Sequence, residues 1–123
     1  MIEYTVKVYE NGSKYWYLND KLHREDGPAI EYAGGTKAWW LNGELHRVGG
    51  PAVEYDYGTK FWYLYGKLHR EDGPAFEGAN GSKEWYLNGY RVTEGEHKRR
   101  TSKATCSGKV VKIDGIEYEL KEL

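Results

Sequence analysis

Short apolar runs alternate along the chain with polar turn residues, and the runs resemble one another: KYWYL at 14–18, KAWWL at 37–41, KFWYL at 60–64 and KEWYL at 83–87. Each run is rich in aromatic residues and ends at Asn19-Asp20, Asn42-Gly43, Tyr65-Gly66 or Asn88-Gly89, pairs that supply the positive φ angles of tight hairpin turns. With two residues in the turn, Leu18 faces Lys21, Tyr17 faces Leu22, Trp16 faces His23 and Tyr15 faces Arg24, because cross-strand partners share a face. Gly27-Pro28, Gly50-Pro51 and Gly73-Pro74 then interrupt pairing, since proline has no N–H to give a ladder. AIEY, AVEY and AFE follow as resumed strands.

The pattern repeats every 23 residues without insertion. Its anchors are Gly12, Gly35, Gly58 and Gly81, each followed by Ser or Thr and then by Lys14, Lys37, Lys60 or Lys83. Trp16, Trp39, Trp62 and Trp85 come next, then the pairs His23-Arg24, His46-Arg47 and His69-Arg70. The fourth unit has Val92-Thr93 in place of His-Arg and lacks Gly-Pro, while Val8-Tyr9-Glu10-Asn11-Gly12 fills the slot of Glu31-Tyr32-Ala33-Gly34-Gly35. A fixed period of this kind is the signature of an array in which each unit packs on its neighbours and both ends are atypical. The expected fold is mainly β: a single-layer antiparallel repeat sheet, a meander of hairpins over residues 1–92, with a short helix and a C-terminal β-hairpin cap over 93–123.

WWLNGELHRVGGPAVEYDYG, residues 39–58, resembles the MORN repeat, a unit of the same length with an aromatic, Asn-Gly, a basic residue with His, then Gly-x-Gly and a strand. The His-Arg-x-x-Gly-Pro-Ala form is similar to a YwqK-like variant found in small phage, giant-virus and bacterial proteins. The resemblance covers residues 8–92, and it departs from the ordinary motif where Arg follows His and where Gly-Pro replaces a plain Gly. It implies a hairpin meander and a compact phage accessory protein working through contacts. Such repeats serve many partners, so the likeness speaks to fold more than to function.

In the last segment, Thr93 and Glu96 have capping-box spacing ahead of EGEHKRRTSKA, which predicts a short basic helix. KVVKI-DG-IEYEL predicts a hairpin about Asp114-Gly115, with Ile113 opposite Ile116 and Val111 opposite Tyr118. This hairpin is expected to cover an open end of the sheet, because an unpaired strand edge invites association.

Bulk properties narrow the function. The 123 residues suffice for one small domain, and 18 basic against 19 acidic residues leave a net charge of -1, which excludes a global field for nucleic acid or an anionic membrane. One cysteine, Cys106, excludes an internal disulfide and fits a reducing compartment. No membrane-length apolar run or signal peptide is read, so a cytoplasmic location, the host cytoplasm for a phage protein, is expected.

LHREDGPA, present at 22–29 and 68–75, has the residue types of an acid-base site. Copies spaced along a ladder do not converge, however, and the middle copy carries Val48-Gly49 in place of the two acids. The plainer reading is structural: His packs on the opposite Trp, Arg spans neighbouring strands and Glu-Asp-Gly-Pro turns. Histidines about two or three strands apart, roughly 10–14 Å at the usual spacing, cannot share a metal ion that needs ligands at about 2 Å. No enzyme activity, metal or cofactor is therefore expected. Candidate contacts are Tyr15, Tyr17, Trp40, Phe61, Tyr63 and Tyr86, with Arg24, Arg47 and Arg70, since exposed aromatics beside arginine suit protein hot spots. A host or viral protein is the expected partner, as in inhibition of a host defence or CRISPR component. Two alternatives stand beside it: a nucleotide-signal sponge that stacks on the rings and grips phosphate with those arginines, and nucleic-acid binding through residues 97–103, Arg99 and Arg100 included. Open sheet edges also allow self-association.

Overall fold

The computed structural model describes residues 3–105, 110–113 and 116–119, with side chains over 3–101; Cys106 and the Asp114-Gly115 turn lie outside the described residues. The first unit comprises β1 (Thr5–Val8), β2 (Lys14–Leu18), β3 (Lys21–Leu22) and β4 (Ile30–Glu31). The second comprises β5 (Lys37–Ala38), β6 (Trp40–Leu41), β7 (Glu44–Leu45) and β8 (Val53–Glu54), and the third β9 (Lys60–Phe61), β10 (Tyr63–Leu64), β11 (Lys67–Leu68) and β12 (Phe76–Glu77). The array ends with β13 (Lys83–Leu87) and β14 (Tyr90–Val92), followed by α1 (Glu94–Thr105) and the hairpin β15 (Val110–Ile113) and β16 (Ile116–Glu119). The fold is mainly β, an open antiparallel meander running β1-β2-β4-β5-β8-β9-β12-β13-β14.

Each unit feeds two rows of strands, and the switch falls at tryptophan. Trp16, Trp39 and Trp62 donate their main-chain N–H to Ala29, Ala52 and Ala75, each at 2.7 Å, while their carbonyls accept from His23, His46 and His69 on the hairpin return. Before the tryptophan the strand pairs with the resumed strand of its own unit. After it, the strand pairs with the hairpin return, Tyr17 facing Leu22 and Leu18 facing Lys21 as the turn chemistry predicts. The expected facing of Tyr15 and Arg24 does not occur. Tyr15 pairs with Ile30, because the Gly-Pro break brings β4 back against the first half of β2. The Arg24 N–H goes instead to the Trp40 carbonyl of the next unit, at 3.1 Å.

The register separates two faces. On one, Lys14, Glu31, Lys37, Glu54, Lys60, Glu77 and Lys83 follow one another across the strands as alternating charges. On the other, the neighbouring row reads Tyr15, Ile30, Ala38, Val53, Phe61, Phe76 and Glu84. Opposite charges directly across a ladder are favourable pairs, and apolar rows cover one another. The tightest positions are small: Ala29, Ala52 and Ala75 have no exposed surface, and among the described residues no large side chain is fully buried. A single layer buries its side chains against neighbours rather than inside a thick core.

Side chains also fasten one unit to the next at both ends of the strands. The Ser13, Thr36 and Thr59 hydroxyls accept the N–H of Ala33, Asp56 and Ala79 in the following turn. The Nδ1 atoms of His23, His46 and His69 accept the N–H of Asn42, Tyr65 and Asn88, each at 2.9 Å. Thr93, standing where the other units have arginine, accepts the Glu96 N–H at 3.0 Å and starts α1. The helix is tied back by His97, whose Nε2–H donates to the Arg70 carbonyl at 2.6 Å. The C-terminal hairpin has the predicted register, Val111 with Tyr118 and Ile113 with Ile116, and forms a two-stranded sheet of its own.

Candidate binding surfaces

The residues after each hairpin form a clasp. Arg24, Arg47 and Arg70 lay their guanidinium groups over Trp16, Trp39 and Trp62, at 3.9, 3.8 and 3.9 Å from the ring centroids. The arginine, not the histidine, is what packs on the tryptophan, because Nδ1 of each histidine is engaged with the next unit. Nη1 of Arg70 donates to the Pro74 carbonyl at 3.1 Å and to Glu77 at 3.0 Å, and Nε donates to Asp72 at 2.9 Å. Arg24 repeats all three contacts with Pro28, Glu31 and Asp26. Arg47 keeps the first two, with Pro51 and Glu54.

The glycine before each proline is required by this approach: a Cβ at Gly27, Gly50 or Gly73 would stand 3.0, 2.9 or 2.8 Å from the guanidinium carbon. The planar group is held between an indole ring and a bare backbone, with Nη1 turned to the proline carbonyl and the strand glutamate. An Arg plane satisfies this geometry and a Lys ammonium does not.

Because Nδ1 accepts a main-chain N–H, the proton of each neutral histidine sits on Nε2. That atom donates to Glu25 from His23 and to Glu71 from His69, at 3.2 and 3.1 Å. His46 has no such carboxylate, since Val48 occupies the slot. The second acid of each loop points outward, the Asp26 and Asp72 side chains being 83% and 87% exposed. Two grooves follow on this face. One of about 640 Å³ runs between Glu25-Asp26 and Val48 over Trp39 and Leu41; the other, of about 600 Å³, runs between Val48-Gly49 and Glu71-Asp72 over Trp62 and Leu64. Val48, 80% exposed, stands between them.

The sequence-predicted aromatics lie on the opposite face and are half-buried among one another. Tyr15 meets Tyr9 and Tyr32 edge-on, at 5.1 and 6.0 Å between centroids. Phe61 touches Tyr55, Tyr63 and Phe76. Lys7 lies over Tyr17, and Tyr86 donates to Glu84. Ala38 replaces the ring that Tyr15 and Phe61 supply, which opens a cleft of about 380 Å³ walled by Tyr32, Trp40 and Tyr55. The structure thus joins each arginine to a tryptophan and separates the side chains of Arg24, Arg47 and Arg70 from those of Tyr15, Tyr17, Trp40, Phe61, Tyr63 and Tyr86, although the main-chain N–H groups of the three arginines donate to the Trp40, Tyr63 and Tyr86 carbonyls. Arg99 and Arg100 sit on α1, both paired with Glu96. Among the described residues no His, Cys, Asp and Glu side chains group as metal ligands, and no helix is long and apolar enough to cross a membrane.

Burial raises the phenol pKa of Tyr32, Tyr63 and Tyr86 above its ordinary value, which is about 10. The neutral phenol is the favoured folded form. This contribution to stability is complete below pH about 10 and is lost as pH rises through the raised values, because the unfolded chain releases its protons first. Tyrosinate absorbance followed against pH is expected to show a late-ionising group that shrinks in Tyr63→Phe, with alkaline unfolding setting in over the same range. A single ordinary titration of all tyrosines would contradict this.

Fold and site together define an open antiparallel sheet of 23-residue units, each fastened by a tryptophan-arginine clasp. No family model, curated protein or solved structure matches the chain.

Proposed function

We propose that the protein is a non-enzymatic recognition module that binds a protein partner on the clasp face, centred on Val48. One observation carries this reading: the three guanidinium groups are engaged with Trp and carboxylates of their own units, whereas an apolar Val48 stands exposed between two grooves rimmed by the exposed side chains of Glu25-Asp26 and Glu71-Asp72. An apolar centre with an acidic rim suits a partner surface that offers an apolar side chain flanked by Lys or Arg. Phosphate binding by Arg24, Arg47 or Arg70 would first have to displace Glu31, Glu54 or Glu77. The finer assignment, a phage accessory protein that inhibits a host defence or CRISPR component, draws its support from the small size and the repeat resemblance.

The test is a substitution that the chain itself has already made twice. Val48→Glu restores the residue found at Glu25 and Glu71 and offers His46 Nε2 the acceptor it lacks. The fold is expected to be retained or slightly stabilised. In affinity capture from host lysate, a stoichiometric partner is expected on the natural chain and at least tenfold less on the variant. Equal capture on both would remove the clasp face from consideration.

A further inference from the structure

The two ends of the sheet are unlike, and each lacks what the other has. In the first three units the tryptophan strand is flanked by a resumed strand, with Lys14, Lys37 and Lys60 facing Glu31, Glu54 and Glu77. In the fourth unit Lys83 and Glu84 pair with β12 on one side, and no described strand takes the resumed-strand place on the other. A cavity of about 390 Å³ lies there, with Lys83, Glu84 and Trp85 on one side and residues 91–94 on the other. At the opposite end, Lys7 and Val8 stand 23 positions before Ile30 and Glu31. β1 therefore holds the resumed-strand position with no described tryptophan strand on its outer side, and all four of its residues are exposed.

We propose that copies of this chain join head to tail, β1 of one copy adding to the Lys83–Glu84 edge of β13 of another, which no described strand covers, in the register of the internal repeats. Shifting the internal pairs by one period places Val8 of the incoming copy opposite Lys83 and its Lys7 opposite Glu84. The Trp85 N–H then meets the Val6 carbonyl, as Trp62 meets Ala75.

The backbone phase of β1 fits this. Tyr9 donates to Ser13, and Lys7 faces Tyr15 and Thr5 faces Tyr17. Antiparallel ladders alternate bonded and non-bonded residues, so the N–H and C=O groups of Val6 and Val8 point away from β2, toward the place the partner takes.

The charges fit as well. Where the internal units have Tyr15, Ala38 or Phe61, the last has Glu84; where they have Ile30, Val53 or Phe76, the first has Lys7. An apolar pair gives way to an opposite-charge pair at the two end strands β1 and β13, where it would be re-formed between copies. Such a contact is heterologous and leaves both outer ends open, so it propagates.

Sedimentation velocity and light scattering of the full chain up to submillimolar concentration test the proposal. The natural chain is expected to show a mass that climbs with concentration above the 14.2 kDa monomer. Val8→Pro removes an outward N–H while sparing the bonds to β2, and is expected to stay monomeric with an unchanged circular dichroism spectrum. Lys7→Glu and Glu84→Lys are each expected to be monomeric alone and to assemble when mixed, because every junction in the mixture again pairs opposite charges. A natural chain that stays at the monomer mass overturns the proposal: the end charges then serve to keep the edges apart, or another segment holds the β13 edge. Assembly that survives both single charge changes, or Val8→Pro, overturns it equally.

Discussion

Replacing Arg70 with alanine is expected to lower the unfolding free energy by about 2–4 kcal/mol. One planar side chain there covers the Trp62 ring and supplies bonds to Pro74, Glu77 and Asp72. A desolvated cation–π contact is worth up to about 2 kcal/mol, and a buried acceptor left without its donor costs about 1–3 kcal/mol. The Arg70 side chain is 21% exposed, so water relieves part of the second cost. Arg70→Lys is expected to recover little, since an ammonium cannot lie flat on the ring and meet the Pro74 carbonyl and two carboxylates at once. Arg47→Ala is expected to cost less by up to about 1 kcal/mol, the worth of an exposed ion pair, because Gly49 stands where Arg70 has Asp72. Gly73→Ala should approach the Arg70→Ala loss, since its methyl group would occupy the space of the guanidinium carbon. Urea denaturation of the four variants with a common slope checks the order. If Arg70→Lys matches the natural chain, the clasp is not the planar device described.

The turn pairs and the 23-residue period are enough to place the hairpins and the register nearest their turns, because both follow from local backbone geometry. They do not place what happens at Trp16. A ladder extended past it predicts Tyr15 against Arg24, whereas the loop through Gly27 and Pro28 returns Ile30 to that position. The exchange depends on where a seven-residue excursion lands, which strand propensity does not encode. The assignment of His and Arg was likewise hidden: turn register sets His23 against Trp16 and Arg24 against Tyr15, and Nδ1 of His23 is taken by the N–H of Asn42 of the next unit, a residue 19 positions away. A usable signal was present in the worn unit. It keeps His46, Arg47, Gly50 and Pro51 while Glu and Asp become Val48 and Gly49, and of the kept residues Arg47, Gly50 and Pro51 close the clasp while His46 fastens the next unit. Strand alternation puts Trp16 on the face away from Tyr15 and Tyr17, and with Arg24 lying over Trp16 the arginines and those tyrosines stand on opposite faces. Ser13, Thr36 and Thr59 read as turn residues because the N–H groups that donate to their hydroxyls, in the following turn, lie 20 positions away.

His46→Ala is expected to cost about 1–3 kcal/mol, and His46→Asn to recover most of that loss. His46 is the informative member of its row because it has no carboxylate at Nε2, so its polar side-chain contact is the bond from the Tyr65 N–H to Nδ1. The ring is 7% exposed and lies 4.4 Å from the Tyr65 ring. Alanine leaves the Tyr65 N–H without its acceptor and opens a void, whereas Asn carries an oxygen near the place of Nδ1 and can accept the same bond. Tyr65 is held at a φ of 50°, a region costly for a bulky residue, so the turn that the histidine fastens is strained. Releasing it should show first at that turn: amide exchange at Tyr65 is expected to quicken in His46→Ala ahead of the neighbouring strands and to stay slow in His46→Asn. In an array whose units touch only their neighbours, a break at one interface weakens the coupling between the two halves. Denaturation of His46→Ala is therefore expected to broaden, with a lower apparent slope than that of His46→Asn. If the two variants are equally destabilised, the bond to Tyr65 contributes nothing and the histidine row serves only to fill space.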